Sequence, residues 1–196
     1  MAINLIRKSV RNRFAIQERG HACAILKADF PDEFREIMDC MDAFTLTKTH
    51  LITAGGNRST ISIDIDTSFL NRGWKPKAFD TNIVVDSVEK PAPTHDIDNF
   101  KNRVGIEVEW NNKDPFYDRD LNNFRLLHQL DVLSVGVIIT RLSELQAEFN
   151  RLGRGNSYGP STTHWGKLLP KVNGGGAGGC PLLLIGMGMA CYDPTR

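Results

Sequence analysis

The chain has 196 residues, 41% of them hydrophobic and 24% charged, and a formal net charge of +1. These values describe a globular chain able to bury a sizeable core, and they exclude a disordered polymer or a bundle of membrane spans. No global basic excess marks nucleic-acid binding, so such a function has to rest on local clusters. The longest apolar stretches, near 133–139 and 182–189, are too short to cross a bilayer. The opening Met-Ala-Ile-Asn-Leu-Ile runs straight into Arg7, Lys8, Arg11 and Arg13, unlike a signal peptide, so a cytoplasmic location is expected. Cys23, Cys40, Cys180 and Cys191 form no Cys-x-x-Cys pair and read as reduced, mostly buried thiols.

In chain order, the basic run Arg7 to Arg13 reads as a solvated face, with phosphate contact as the competing reading. The apolar series around Phe14, Ile16, Ala22, Ala24, Ile25 and Leu26 predicts at least one strand. Pro31 and Asp32 open a helix, since proline suits a first turn and acids suit its positive end. Phe34, Ile37, Met38, Met41 and Phe44 give that helix one core face. From Gly55-Gly56-Asn57 to Lys90 the pattern shifts to short extended runs. Ile61, Ile63 and Ile65 alternate with Ser62, Asp64 and Asp66, predicting a strand with one polar face, and Ile83-Val84-Val85 predicts another. About residues 50–92 are read as a small β-rich subdomain within one domain spanning 1–196. Leu70, Trp74 and Phe79, interleaved with Arg72, Lys75 and Lys77, read as packing anchors ahead of nucleic-acid contacts. Pro91 and Pro93 mark a turn before Asp96-Ile97-Asp98.

Residues 111–115 are turn-rich, and Asp118 or Asp120 starts a helix carrying Leu121, Phe124, Leu127 and Leu130 on one side. Leu133 to Thr140 has the continuous Val/Ile character of a strand buried on both faces, and Leu142, Leu145, Phe149 and Leu152 follow at helical steps. Ser161-Thr162-Thr163 offers N-caps for a helix through Lys171. Residues 173–179 are glycine-rich but lack the order of a phosphate-binding loop, and Pro181 to Met189 returns as a last strand. The alternation of strands and helices predicts an α/β core.

The segment Val104-Gly-Ile-Glu-Val-Glu-Trp110 carries the chemistry. Alternation puts Val104, Ile106, Val108 and Trp110 on one face and Gly105, Glu107 and Glu109 on the other. Like charges side by side call for a cation, a proton or water, so the strand points either to a metal site or to a half-exposed strand with a solvated acidic face. Taken alone, it favours the solvated face. Asp98 stands nine residues before Glu107, and the two acids, the Val108 carbonyl and waters suit a hard cation such as Mg²⁺. Asp96 is the competing ligand.

The run His95-Asp-Ile-Asp98, the acidic strand with Asn111-Asn-Lys-Asp, then Asp118-Arg-Asp-Leu and Ser134-Val-Gly-Val-Ile-Ile-Thr-Arg141 resemble the catalytic core of BglII/BstYI-type restriction endonucleases. These are relatives of BamHI within the PD-(D/E)xK nuclease fold, an α/β core with a central mixed β-sheet flanked by helices. Ser157 to Lys171, leading into the glycine-rich turn and Cys180-Pro, is similar to the same group. The resemblance implies Asp98 and Glu107 as magnesium ligands with the Val108 carbonyl. It puts Glu109 where the wider superfamily has lysine, as general base or further metal contact. Lys101 or Lys113 is the candidate for the missing positive charge.

The resemblance further implies a homodimer on a palindromic duplex, with Mg²⁺ as cofactor and a cognate DNA methyltransferase in the same system. Asn112 matches a position facing the bases, and asparagine pairs with adenine N6 and N7. The second base-reading segment matches Asn156, Ser157, Ser161, Thr162 and Thr163, with Lys113, Arg154, His164 and Lys167 for phosphates or guanine. The expected site contains GATC. The expected function is a type II site-specific deoxyribonuclease; the alternative is a DNA-binding protein of the same fold without cleavage. A carboxylate-pair glycosidase ranks last, because adjacent acids on one strand face are poorly placed to flank a sugar bond.

Overall fold

The computed structural model describes residues 2–53, 58–91, 94–113, 115–156 and 159–196. The helices are α1 (Lys8–Arg13), α2 (Ala22–Asp29), α3 (Pro31–Ala43), α4 (Lys48–Ile52), α5 (Thr60–Leu70), α6 (Pro115–Gln129), α7 (Leu145–Arg151) and α8 (Trp165–Asn173). The strands are β1 (Phe14–Arg19), β2 (Leu46–Thr47), β3 (Lys75–Lys77), β4 (Asn82–Val85), β5 (Val88–Pro91), β6 (Ile97–Lys101), β7 (Val104–Glu109), β8 (Val135–Arg141), β9 (Leu182–Met187) and β10 (Tyr192–Asp193).

Six strands form a mixed sheet in the order β1-β9-β8-β7-β6-β3. Its centre, β7-β8-β9, is parallel, and β1, β6 and β3 flank it antiparallel. Strands buried on both faces must be apolar on both, which explains the continuous run of β8. Val104, Ile106, Val137, Ile139, Leu183 and Ile185 face a core shared with α1, α2, α3 and α5. Ile138, Leu182 and Leu184 face a second core built with Phe124 and Leu127 of α6 and Leu168 of α8. Helices therefore cover both faces of the sheet. Gly136 lets α6 approach: a Cβ there would stand 2.5 Å from Phe124 Cδ2. Gly136→Ala is expected to destabilise the protein by about 1–3 kcal/mol, read as a lower melting temperature.

Residues 61–66, expected as a strand, lie instead in α5. Ile61, Ile65 and Phe69 are buried at four-residue steps while Ile63 is 45% exposed, and the Ser59 hydroxyl accepts from Ser62 N at 3.1 Å as an N-cap. A step of four contains every second position of a step of two, so a short isoleucine run satisfies both periods. The expected strand at 83–85 forms, as one arm of the β4–β5 hairpin. Left-handed Asp86 and Ser87 (φ 49° and 65°) turn that hairpin, and its Ile83, Val84, Val85 and Val88 are 46–66% exposed.

α6 begins at Pro115, before the expected Asp118, and Leu130 falls past its end, exposed. α8 begins at Trp165 with His164 at its cap position and no side-chain cap bond; Thr162 and Thr163, expected as caps, are engaged elsewhere. The basic run belongs to the scaffold. Arg7 pairs with Asp39 and Asp42, and Arg13 donates to the carbonyls of Met41, Asp42 and Phe44 at the end of α3. Trp74 is fully buried, its indole N–H donating to Glu36 at 2.7 Å. The four cysteines are free and buried. Among the described residues no helix is long and apolar enough to cross a membrane.

Candidate active site

Strand β7 alternates as its sequence predicts, yet both faces are covered. Glu107 is 0% and Glu109 2% exposed, which overturns the solvated acidic face. The ladder from β6 to β7 runs as far as the pair Asn99–Ile106. Beyond it, Val108 N donates to Asp98 Oδ2 at 3.0 Å, and Asp98 N lies 3.4 Å from Glu107 Oε2. Side-chain carboxylates thus take over from main-chain pairing where the two strands carry their acids. Glu107 Oε1 is buried and has no hydrogen-bond partner among the described residues.

Two acids come from outside this unit. Asp120 of α6 is fully buried, and its Oδ2 has no hydrogen-bond partner among the described residues. Asp66 of α5 accepts from Asn99 Nδ2 at 2.6 Å. Burial first, and then the charges of Asp120, Asp98 and Glu109, push the Glu107 carboxyl well above its ordinary range. Burial and Asp120 push Glu109 up to about 9; burial also raises Asp120 and Asp66. Burial and its acidic neighbours thus favour the protonated form of Glu109 in the free protein. Asn112 Nδ2 donates to its Oε2 at 2.7 Å, and Arg119 Nη2 stands 3.5 Å from its Oε1.

Sequence reasoning gave Asp120 no role in the site, reading it as a helix start and as part of the resembling run Asp118-Arg-Asp-Leu. Its signal is helical spacing, because 120 falls in the buried stripe with Tyr117, Leu121 and Phe124. Asp66 was hidden by the strand reading of 61–66.

Asp98, Val108, Glu109 and Asn112 line one cavity of ≈ 270 Å³, with Asp66, His95, Phe116 and Arg119 among its other walls. Glu107 sits buried behind them. Asn111, left-handed at φ 56°, turns the chain as it leaves β7. The following residues pair with the second predicted segment: Lys113 bridges to Thr162, Asn112 N donates to Thr163 Oγ1 at 3.0 Å, and Thr163 N donates to Asn112 O at 2.8 Å. Thr163 is fully buried. Beneath this junction Arg141, also fully buried, donates to Thr162 Oγ1 at 3.1 Å.

The remaining predicted residues lie outside the cavity walls. Arg154 Nε donates to Ile52 O at 2.9 Å, His164 Nδ1 meets Ser143 Oγ at 2.9 Å, and Lys167 Nζ donates to Ser161 O at 3.0 Å. Asn156 and Ser161 are exposed, and Ser157 lies outside the described residues. Asp96 is exposed and, like Asp98, lines a neighbouring cavity.

Among the described residues no three His, Cys, Asp or Glu side chains form a ready-made metal-ligand group. The expected ligand set needs fewer: two carboxylates, the Val108 carbonyl and solvent. Glu107 Oε1, buried without a donor among other acids, is an oxygen that a cation or a proton has to satisfy. The residues present fit a hard divalent ion held by oxygen.

Among known protein families, a model described as restriction endonuclease BglII/BglIII matches residues 14–187. That span runs from the first residue of β1 to the last of β9. No curated protein matches the chain.

Proposed function

The chain belongs to the BglII/BglIII restriction endonuclease family, and from that premise we propose how its cavity cuts DNA. Membership makes it a type II restriction endonuclease, a phosphodiester hydrolase acting on double-stranded DNA, and the mixed sheet between helices is its restriction-endonuclease-like core. Enzymes of this family use divalent metal ions. In the proposal the ion is Mg²⁺, held by Asp98, Glu107 and the Val108 carbonyl. When bound, it would lower the pKa of a water and neutralise charge on the phosphodiester. The observation that carries the assignment is the unpartnered, buried Glu107 Oε1 beside Asp98.

Glu109 is the general base. Glu109 lines the cavity beside Arg119; it releases its own proton to solvent and, once ionised, takes a proton from the attacking water. Asp98 keeps β7 in place through the Val108 N–H. Asn112 reads adenine, and the Asn156–Thr163 segment, paired to it through Thr162 and Thr163, completes recognition with Lys113, Arg154, His164 and Lys167 on phosphates or guanine. The whole chain acts as one endonuclease domain. It works as a homodimer on a palindromic site containing GATC, in the cytoplasm, where its four thiols stay reduced, alongside a cognate methyltransferase.

Incubating unmethylated plasmid with the protein and Mg²⁺ should give discrete fragments that vanish in EDTA, and sequencing their ends identifies the site. Failure to yield such fragments removes the proposal; a gel shift in Ca²⁺ without cutting in Mg²⁺ would favour binding without cleavage. Asn112→Ala should slow cleavage of the cognate site about 10–100-fold, the value of one bidentate base contact. Rate ratios between cognate sites and sites with one base changed, measured on short duplexes, check this.

A further inference from the structure

We propose that Arg119 is a catalytic residue, whose guanidinium contacts the phosphodiester in the carboxylate cavity and supplies the cation that this acidic cluster needs. This rests on the cavity being the cleavage site. Asp66, Asp98 and Glu109 line the cavity, with Glu107 and Asp120 buried next to it, so once these carboxyls are ionised a phosphate monoanion meets repulsion there, and a guanidinium facing it adds to the offset that a metal ion would give.

Two arginines line the cavity. Arg58 is 60% exposed and pairs with Asp66. Arg119 is 34% exposed and is held on three sides. Its Nε and Nη2 donate to Asp120 Oδ1 at 3.0 and 2.8 Å, Nη2 reaches toward Glu109 Oε1, and its plane lies over the Phe116 ring at 4.2 Å. Among the described residues Nη1 has no partner, which leaves one donor group of a fixed planar cation for a ligand. The pKa of His95, another cavity wall, is lowered by burial and by Arg119 itself.

The lysines expected to supply the charge are placed elsewhere. Lys101 Nζ donates to Glu36 at 2.8 Å and to Arg72 O at 2.9 Å, and Lys113 lies outside the cavity walls. A guanidinium fixed by a carboxylate and a ring, with Nη1 left over, suits a charge-assisted hydrogen bond to one phosphodiester oxygen.

Arg119 also touches Glu109, so the test must separate contact with DNA from positioning of the carboxylate. Arg119→Gln and Arg119→Lys would be compared with the parent by single-turnover cleavage in Mg²⁺, by duplex binding in Ca²⁺ across a salt series, and by thermal melting. Arg119→Gln should lower the cleavage rate about 10²–10³-fold, the usual cost of removing one preorganised donor at a developing charge. It should also make the log–log salt slope of binding shallower by about one. Arg119→Lys should recover the slope and part of the rate, and Arg119→Met takes the place of the glutamine variant if that does not fold. An unchanged slope in the folded uncharged variant overturns the proposal, leaving Arg119 as a positioning residue for Glu109. A parent protein that does not cut would refute the cleavage site instead, while the salt slopes in Ca²⁺ still decide the contact.

Discussion

Replacing Glu107 with glutamine is expected to reduce cleavage at least about 10³-fold while leaving the metal-free protein no less stable than the parent. The first effect follows from its assigned place. Charge stabilisation of the reacting phosphodiester by a bound cation is worth several kcal/mol, and each 1.36 kcal/mol is tenfold in rate. The second follows from the free protein. Glu107 is fully buried, its Oε1 has no donor among the described residues, and Asp120, Asp98 and Glu109 all oppose its charge. Glutamine keeps the shape and an acceptor for Asp98 N without that opposition. Single-turnover cleavage and melting in EDTA test the pair of outcomes. Full activity in the variant would strip Glu107 of its role, and a large drop in melting temperature would show that its carboxylate is a structural group instead.

The same cluster should make the free protein lose stability as pH rises. Glu107, Glu109 and Asp120 hold their protons in the folded state above the pH at which the unfolded chain releases them. Their contribution is complete below the ordinary carboxylate value, 4.5 for Glu109, and is lost as pH climbs toward about 9. In EDTA the melting temperature should therefore decline across that interval. Glu18 and Glu148, whose carboxyls are held low by backbone N–H groups and by Arg151 respectively, act in the opposite sense at acid pH, outside this window.

A divalent ion binds the ionised form, so its stabilisation should grow with pH. At a hundredfold excess over Kd it should reach about 2.7 kcal/mol, or about 5–10 °C in a chain of this size. Differential scanning fluorimetry with and without Mg²⁺ would show it. A gain that is equal at every pH, or that survives in Glu107→Gln, would place the ion elsewhere.

Much of the site could be read from local pattern. Period two in 104–110 correctly sorted Glu107 and Glu109 to one face, and the short step from Asp98 to Glu107 is one turn between adjacent strands. The apolar run of β8 and the stripe of α3 were legible for the same reason, since each is settled by neighbours along the chain. What covers the acidic face was not. Asp120 and Arg119 arrive on α6, and Asp66 on α5, from beyond the strand that they complete. Whether a polar face is wet or buried depends on such distant elements, and alternation alone does not carry that information. The helix at 60–70 was missed because Ile61 and Ile65 fit either period; Phe69 and the Ser59 cap decide it.

The bond from the Asn112 amide to Glu109 has a practical consequence for engineering. With Asn112 assigned to base reading and Glu109 to proton transfer, a side chain chosen to prefer another base also removes the donor that steadies the carboxylate. A library randomised at 112 alone would return mostly slowed enzymes, whatever sequences they prefer. New specificities at this position call for residues 109 and 112 to be varied together.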